Sequence, residues 1–224
     1  MTKGIFIAGH ASALLGAIEA EAAKRADRYA LALIPNRFAE PRENPSSASL
    51  EKQRVPLDWN PGSAVSARAL VLAAENRIGD IDEAILACSP PSVPCAAADL
   101  KPVDIEVLAS DHVKSWLFLA RELVSSFKMK KRGMLVLVYP EAGGAGGKEA
   151  VADILGSVAM ASFRSLALGL LAGASSEAYA AQGFAGGEAG NEEGFANFIF
   201  RQLDDTKRRI NGKLHKFGKA GFFK

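Results

Sequence analysis

Residues 55–91, VPLDWNPGSAVSARALVLAAENRIGDIDEAILACSPP, divide into a strand, a helix and a second strand. RVPLDW (54–59) has the length and composition of a short strand. PGSAVSARALVLAAENRIG (61–79) then carries the helical period between an N-terminal serine and a glycine stop, and Ser63, Val65, Ala69, Leu70, Leu72 and Ala73 are its predicted buried side. EAILAC (83–88) is an unbroken apolar run of strand length. A strand, a helix and a strand in this order suit neighbours in a parallel sheet, with the helix crossing one face.

The same alternation extends in both directions. Upstream, GIFIA (4–8) is a first strand, followed by an alanine-rich helix over 12–26 and a second strand, YALALI (29–34). Residues 35–53 are polar and proline-rich, so they read as a loop. Downstream of the loop SPPSVPC, one long helix is expected over 104–133, ending in a basic, glycine-stopped turn. MLVLVY (134–139) is a fifth strand, PEAGGAGG (140–147) a loop, and 148–172 a nearly uncharged helix expected to be buried on most sides. A weak sixth strand (177–184), a helix (191–205) and an alternating last strand, KLHKF (213–217), complete the series. The expectation is a single α/β domain over 1–224, a three-layer doubly wound fold with a mostly parallel seven-stranded sheet and helices on both faces.

Bulk properties narrow the function classes. The chain has 224 residues, 49% hydrophobic and 23% charged, with a formal net charge of +2, which argues against whole-surface nucleic-acid binding. The asymmetry is C-terminal: 207–224 holds seven Lys/Arg, no acidic residue and the last strand, and suits either a solvated tail or an anionic ligand. Cys88 and Cys95 are too few for a disulfide framework, and the three histidines are far apart in sequence, so no metal site is expected. The first apolar run ends at a glycine and LALGLLAG (166–173) is short, so neither a signal peptide nor a membrane span is read, and a cytoplasmic protein is expected.

The order of elements resembles the short-chain dehydrogenase/reductase family along nearly the whole chain. The match is best over 55–91, whose Asp58 and Gly-Asp-Ile-Asp lead into the 83–88 strand follow that family's pattern. SDHVKSWLFLARELV, RGMLVLV, SLALGLLA and INGKLHKFGKAGFF fall in the family's order and spacing. The resemblance implies a Rossmann-like fold and, in an intact member, NAD or NADP bound at a glycine-rich turn.

The residues at the family's functional positions are different ones. Its T-G-x-x-x-G-x-G turn reads Ala8, Gly9, Ala13 and Leu15 here. Glycines there let the pyrophosphate reach the free N–H groups of a helix N-terminus. The N-A-G beneath the cofactor reads Cys88-Ser89-Pro90. Gly9, Arg37 and Asp58 survive as vestigial cofactor-binding positions, Arg37 being placed to meet a 2′-phosphate. Catalysis in the family needs a Ser and a Tyr, with a Lys four residues after the Tyr on one helix face. No Tyr-x-x-x-Lys occurs in the sequence. The family's Ser falls at Pro140, its Asn near His112, and its Tyr/Lys pair at Ala152/Gly156 or, one residue on, Asp153/Ser157. Tyr139 and Lys148, nine apart across a glycine-rich loop, do not define a pair.

The expected protein is therefore a non-catalytic relative that carries no cofactor or metal and scaffolds an oligomer. Its expected partner is an active NAD(P)-dependent short-chain dehydrogenase or ketoreductase, acting on hydroxyacyl or oxoacyl thioesters, bound through the 104–127 and 148–172 helices. Trp116 to Leu119 leave the first of these without a polar side. Two alternatives stay open: an active oxidoreductase with displaced catalytic groups, and a regulator binding an anionic small molecule or thioester.

Overall fold

In a computed structural model, described for residues 3–35, 37–38, 53–141, 153–186, 190–205 and 211–218, seven strands form one sheet. The strands are β1 (Ile5–His10), β2 (Tyr29–Ile34), β3 (Arg54–Leu57), β4 (Glu83–Ala87), β5 (Met134–Pro140), β6 (Ala180–Gly186) and β7 (Lys213–Phe217). Their order is β3-β2-β1-β4-β5-β6-β7, and every pairing is parallel, where the sequence led us to expect a mostly parallel sheet. Pro56 lacks an N–H for the ladder, which suits the position of β3 at one edge.

Alternation along each strand divides the core between two faces. Phe6, Ala8, Ala30, Ala32 and Leu86 belong to one apolar cluster, which includes residues of α2 (Ala64–Ile78) and of the later helices α4 (Ser115–Lys130) and α5 (Ile154–Gly173). Ile5, Ile7, Leu31 and Ile85 belong to the other, with α1 (Ala13–Ala23) and α6 (Glu192–Asp204). Central strands buried on both faces carry apolar residues on both, with Glu83 and His10 only at strand ends, which is why these runs read as continuous.

Several local expectations are corrected. Helix α2 buries Ala67, Leu70, Val71 and Ala74, whereas Val65, Ala69 and Leu72 are exposed. Both stripes fit a 3.6-residue period in this alanine-rich segment, and packing within the sheet-side cluster selects one of them. The long helix expected over 104–133 has three parts: α3 (Pro102–Val107), a π-helical segment at Leu108–Lys114, and α4. Ser115 Oγ donates to the Asp111 carbonyl (2.6 Å) where the wide turn ends. Lys131 (φ 53°) and Gly133 (φ 135°) stop α4, and the Phe127 ring occupies the space a side chain at 133 would need. The sixth strand lies at 180–186, displaced from 177–184, because a 3-10 turn at Ala174–Ser176 follows α5 and the ladder with β5 begins at Ala180 opposite Met134.

Helix α5 departs furthest from expectation. Its buried residues are Leu155, Ala159, Phe163, Ala167 and Leu171, a single stripe of every fourth position, so it is not buried on most sides. Ile154–Ser176 is long and apolar enough to cross a membrane by composition, with a mean hydropathy of 1.7, although LALGLLAG alone was too short. It is the crossover between adjacent parallel strands β5 and β6, so both of its ends return to the same sheet.

Candidate functional site

The strand order reverses direction between β1 and β4, and ligands of open α/β sheets bind outside the carboxyl ends of strands at such a switch point. Here that point is packed with side chains. A Cβ at Gly9 would lie 2.7 Å from the Ala87 carbonyl oxygen and 2.8 Å from Leu15 Cδ1, so β1 passes β4 closely and Leu15 closes on the turn. Leu15 is only 1% exposed and belongs to the α1-side core. Ser12 caps α1: its Oγ accepts from the Leu15 N–H (3.2 Å) and its carbonyl from the Gly16 N–H (3.1 Å). These donors of the helix N-terminus are thus satisfied within the chain.

His10 follows Gly9 at the end of β1. Its Nδ1 accepts from the Ser89 main-chain N–H (3.2 Å), and its Nε2 lies 2.7 Å from His112 Nδ1. The histidines that the sequence separates widely are therefore bonded and stacked, with ring centroids 4.8 Å apart. Burial, reinforced by His112, holds His10 well below its ordinary pKa; burial lowers His112 to about 4. Both imidazoles are neutral at physiological pH. Phe38 stacks on His112 (5.7 Å), and Arg37 Nε lies 3.1 Å from Asp111 Oδ2, bridging from the β2 side of the crevice to the π-helical segment. Arg37, expected to face a phosphate, faces a carboxylate. Desolvation raises the pKa of Asp111, and Arg37 opposes the rise. Asp58 is exposed beyond β3, and the neighbouring Trp59 Nε1–H donates to the Leu33 carbonyl (3.0 Å).

The remaining predicted positions meet at a separate cleft of about 550 Å³, lined by Tyr139, Pro140, Asp153, Ser157 and Arg164 among others. Asp153 Oδ1 accepts from Gly156 N–H (2.9 Å) and Val93 N–H (3.2 Å), so it caps α5 and ties down the proline-rich loop. Ser157 is exposed on the helix. Burial raises the Tyr139 phenol, with Arg164 opposing, whereas a catalytic tyrosine needs a lowered pKa. Glu141 pairs with Lys216 (2.9 Å). No lysine lines this cleft among the described residues; Lys148, Ala152 and most of the basic 207–224 segment lie outside them. The described residues also contain no cluster of three or more metal-ligating side chains.

His10 and Trp116 were missed as site residues, and Ser89, read at the N-A-G position, was not read as a donor to His10. Two signals bear on them in sequence: His10 directly follows the strand-ending Gly9, and Trp116 stands four residues after His112 on one helical face.

No family model matches the chain, and no curated protein matches it by sequence. Solved structures do match. A short-chain dehydrogenase from Mycobacterium smegmatis superposes with a TM-score of 0.74 at 13% identity, covering 98% of this chain and 94% of that one. ElxO with NADP bound superposes with a TM-score of 0.72 at 13% identity, covering 96% and 97%. An NADH-dependent reductase complexed with NAD gives 0.69 at 14% identity, covering 96% and 94%. The chain has the Rossmann-like fold of these dehydrogenases.

Proposed function

We propose that this chain is a short-chain dehydrogenase/reductase-like subunit without chemistry of its own, which scaffolds an oligomer with an active NAD(P)-dependent relative. The observation that carries the reading is the outer face of α5. Val158 and Leu168 are each 44% exposed there, and across the groove Leu117 of α4 is 49% exposed. A helix of this hydropathy, packed on the sheet by one stripe, presents an apolar surface of the kind that partners cover.

The dinucleotide does not fit the residues present. Leu15 fills the place of a bare glycine, Ser12 occupies the helix N-terminus, and Arg37–Asp111 and Phe38–His112 bridge the crevice. No step is therefore assigned to a nicotinamide in this chain; NAD or NADP belongs to the active partner. Two assays test the reading. Light scattering after size exclusion is expected to find the chain in an oligomer, alone or with a co-expressed active relative. Calorimetric titration is expected to find no NAD(H) or NADP(H) affinity in the micromolar range. A monomer that recovers no partner would end the scaffold reading, and micromolar nucleotide binding would restore the oxidoreductase alternative.

A further inference from the structure

We propose that the groove between the π-helical segment, α4 and α5 holds a binding site for a compact, uncharged carbonyl compound, gripped by two side-chain N–H donors, His112 Nε2 and Trp116 Nε1. This inference goes beyond the scaffold reading: it concerns the buried floor of the groove, whose exposed rim, Leu117 included, that reading gives to a partner.

The hydrogen-bond directions follow from one fixed donor. The Ser89 main-chain N–H can only donate, so His10 Nδ1 accepts and the neutral ring carries its hydrogen on Nε2. That hydrogen is given to His112 Nδ1, which places the hydrogen of neutral His112 on Nε2. His112 is thereby set as an outward donor rather than a base, with His10 as its positioning residue.

His112 and Trp116 are each 1% exposed, and neither His112 Nε2 nor Trp116 Nε1 has an acceptor among the described residues. A buried donor left without an acceptor costs on the order of 1–3 kcal/mol, so two side by side on one helical face call for a shared acceptor. Both residues line the same cavity of about 390 Å³, a volume suited to a small molecule. Phe163, Leu117 and Leu166 supply apolar walls, and Ser162 a further hydroxyl. The rings are held in place: Trp116 meets Phe163 edge-on at 4.8 Å and His10 at 5.7 Å.

The charge of the ligand follows from the lining. Among the described residues no cation lines this cavity, and the adjoining Asp111 carboxylate is directed to Arg37. A carboxylate would lose its hydration without a counter-charge, whereas an amide, ketone or ester oxygen accepts two N–H bonds at little such cost.

Benzamide and benzoate, equal in shape and different in charge, separate these cases. In nitrogen-15 spectra of the full chain, benzamide is expected to move the Trp116 indole N–H saturably. The Trp59 indole, bonded to the Leu33 carbonyl, stays in place and reports folding. Benzoate is expected to bind at least about tenfold more weakly. His112→Phe is expected to abolish the benzamide response; if that variant fails to fold, Ser162→Leu, which fills the cavity from a half-buried position, is expected to do the same. An unmoved Trp116 indole overturns the proposal, as does benzoate binding equal to that of benzamide. A Trp116 shift produced by raising the protein concentration alone would give both donors to a partner's main chain, and overturns it as well.

Discussion

Leu15 closes the space above Gly9 with covalent chain. Its methyl group against the turn and its 1% exposure make it a core residue. Leu15→Ala is expected to cost about 2–5 kcal/mol, from lost transfer energy plus the cavity left behind. For a chain of this size that lowers Tm by roughly 4–20 °C. The variant is expected to gain no nucleotide affinity, because Ser12 still caps the helix; calorimetry of melting and of NAD titration reads both outcomes. The histidine pair makes a second prediction. His112 titrates near 4 when folded and near 6.5 when unfolded, so the unfolded chain binds more protons between those values. Its contribution is complete above about pH 6.5 and is lost as pH falls toward 4, amounting to about 2 kcal/mol between pH 7 and pH 5. The raised pKa of Asp111 acts in the opposite direction, so the wild type is compared with His112→Gln. Urea unfolding at the two pH values is expected to show the smaller pH-dependent loss in the variant.

At the scale of elements, α5 separates two kinds of substitution that the sequence treats alike. Ala159 and Trp116 look like mid-interface positions on apolar helices, but both are 1% exposed and belong to the core. Ala159→Asp places an uncompensated charge under the helix and is expected to lower Tm or give insoluble protein, at a cost of several kcal/mol. Leu168→Glu and Leu117→Glu instead alter surface that the isolated chain already shows to water. Each is expected to leave Tm within a few degrees and to weaken assembly by a hundredfold or more, since burying an unpaired charge in a partner's surface costs about 3 kcal/mol or more. Light scattering beside a melting curve reads the two effects separately. The π-helical segment matters for a related reason. Its wide turn brings Asp111 and His112 to the crevice together, facing Arg37 and His10 respectively.

For the whole molecule, the scaffold reading predicts that a complex with an active relative keeps its turnover when Tyr139 here becomes Phe. A group in general acid–base catalysis contributes roughly 10²–10⁴-fold, so a loss of that size with folding intact would return chemistry to this chain.

The sequence by itself determined the architecture. Strands β2 and β7 lie at 29–34 and 213–217 as read, and the repeated βα order led directly to a doubly wound sheet, because apolar period and turn residues are local signals. The absence of Tyr-x-x-x-Lys and the residues in the glycine turn are equally local, and were legible without a fold. Contact was decided by the tertiary structure alone. His10 and His112 are 102 positions apart, and only the return of the chain across β4 brings their nitrogens to 2.7 Å. Arg37 meets Asp111 for the same reason, and periodicity holds no record of which charge a loop will face. The buried side read for α2 and the burial on most sides read for α5 are both corrected by the structure. In segments rich in alanine and leucine every face is apolar enough to be a core face, and the shape of the sheet beneath selects one.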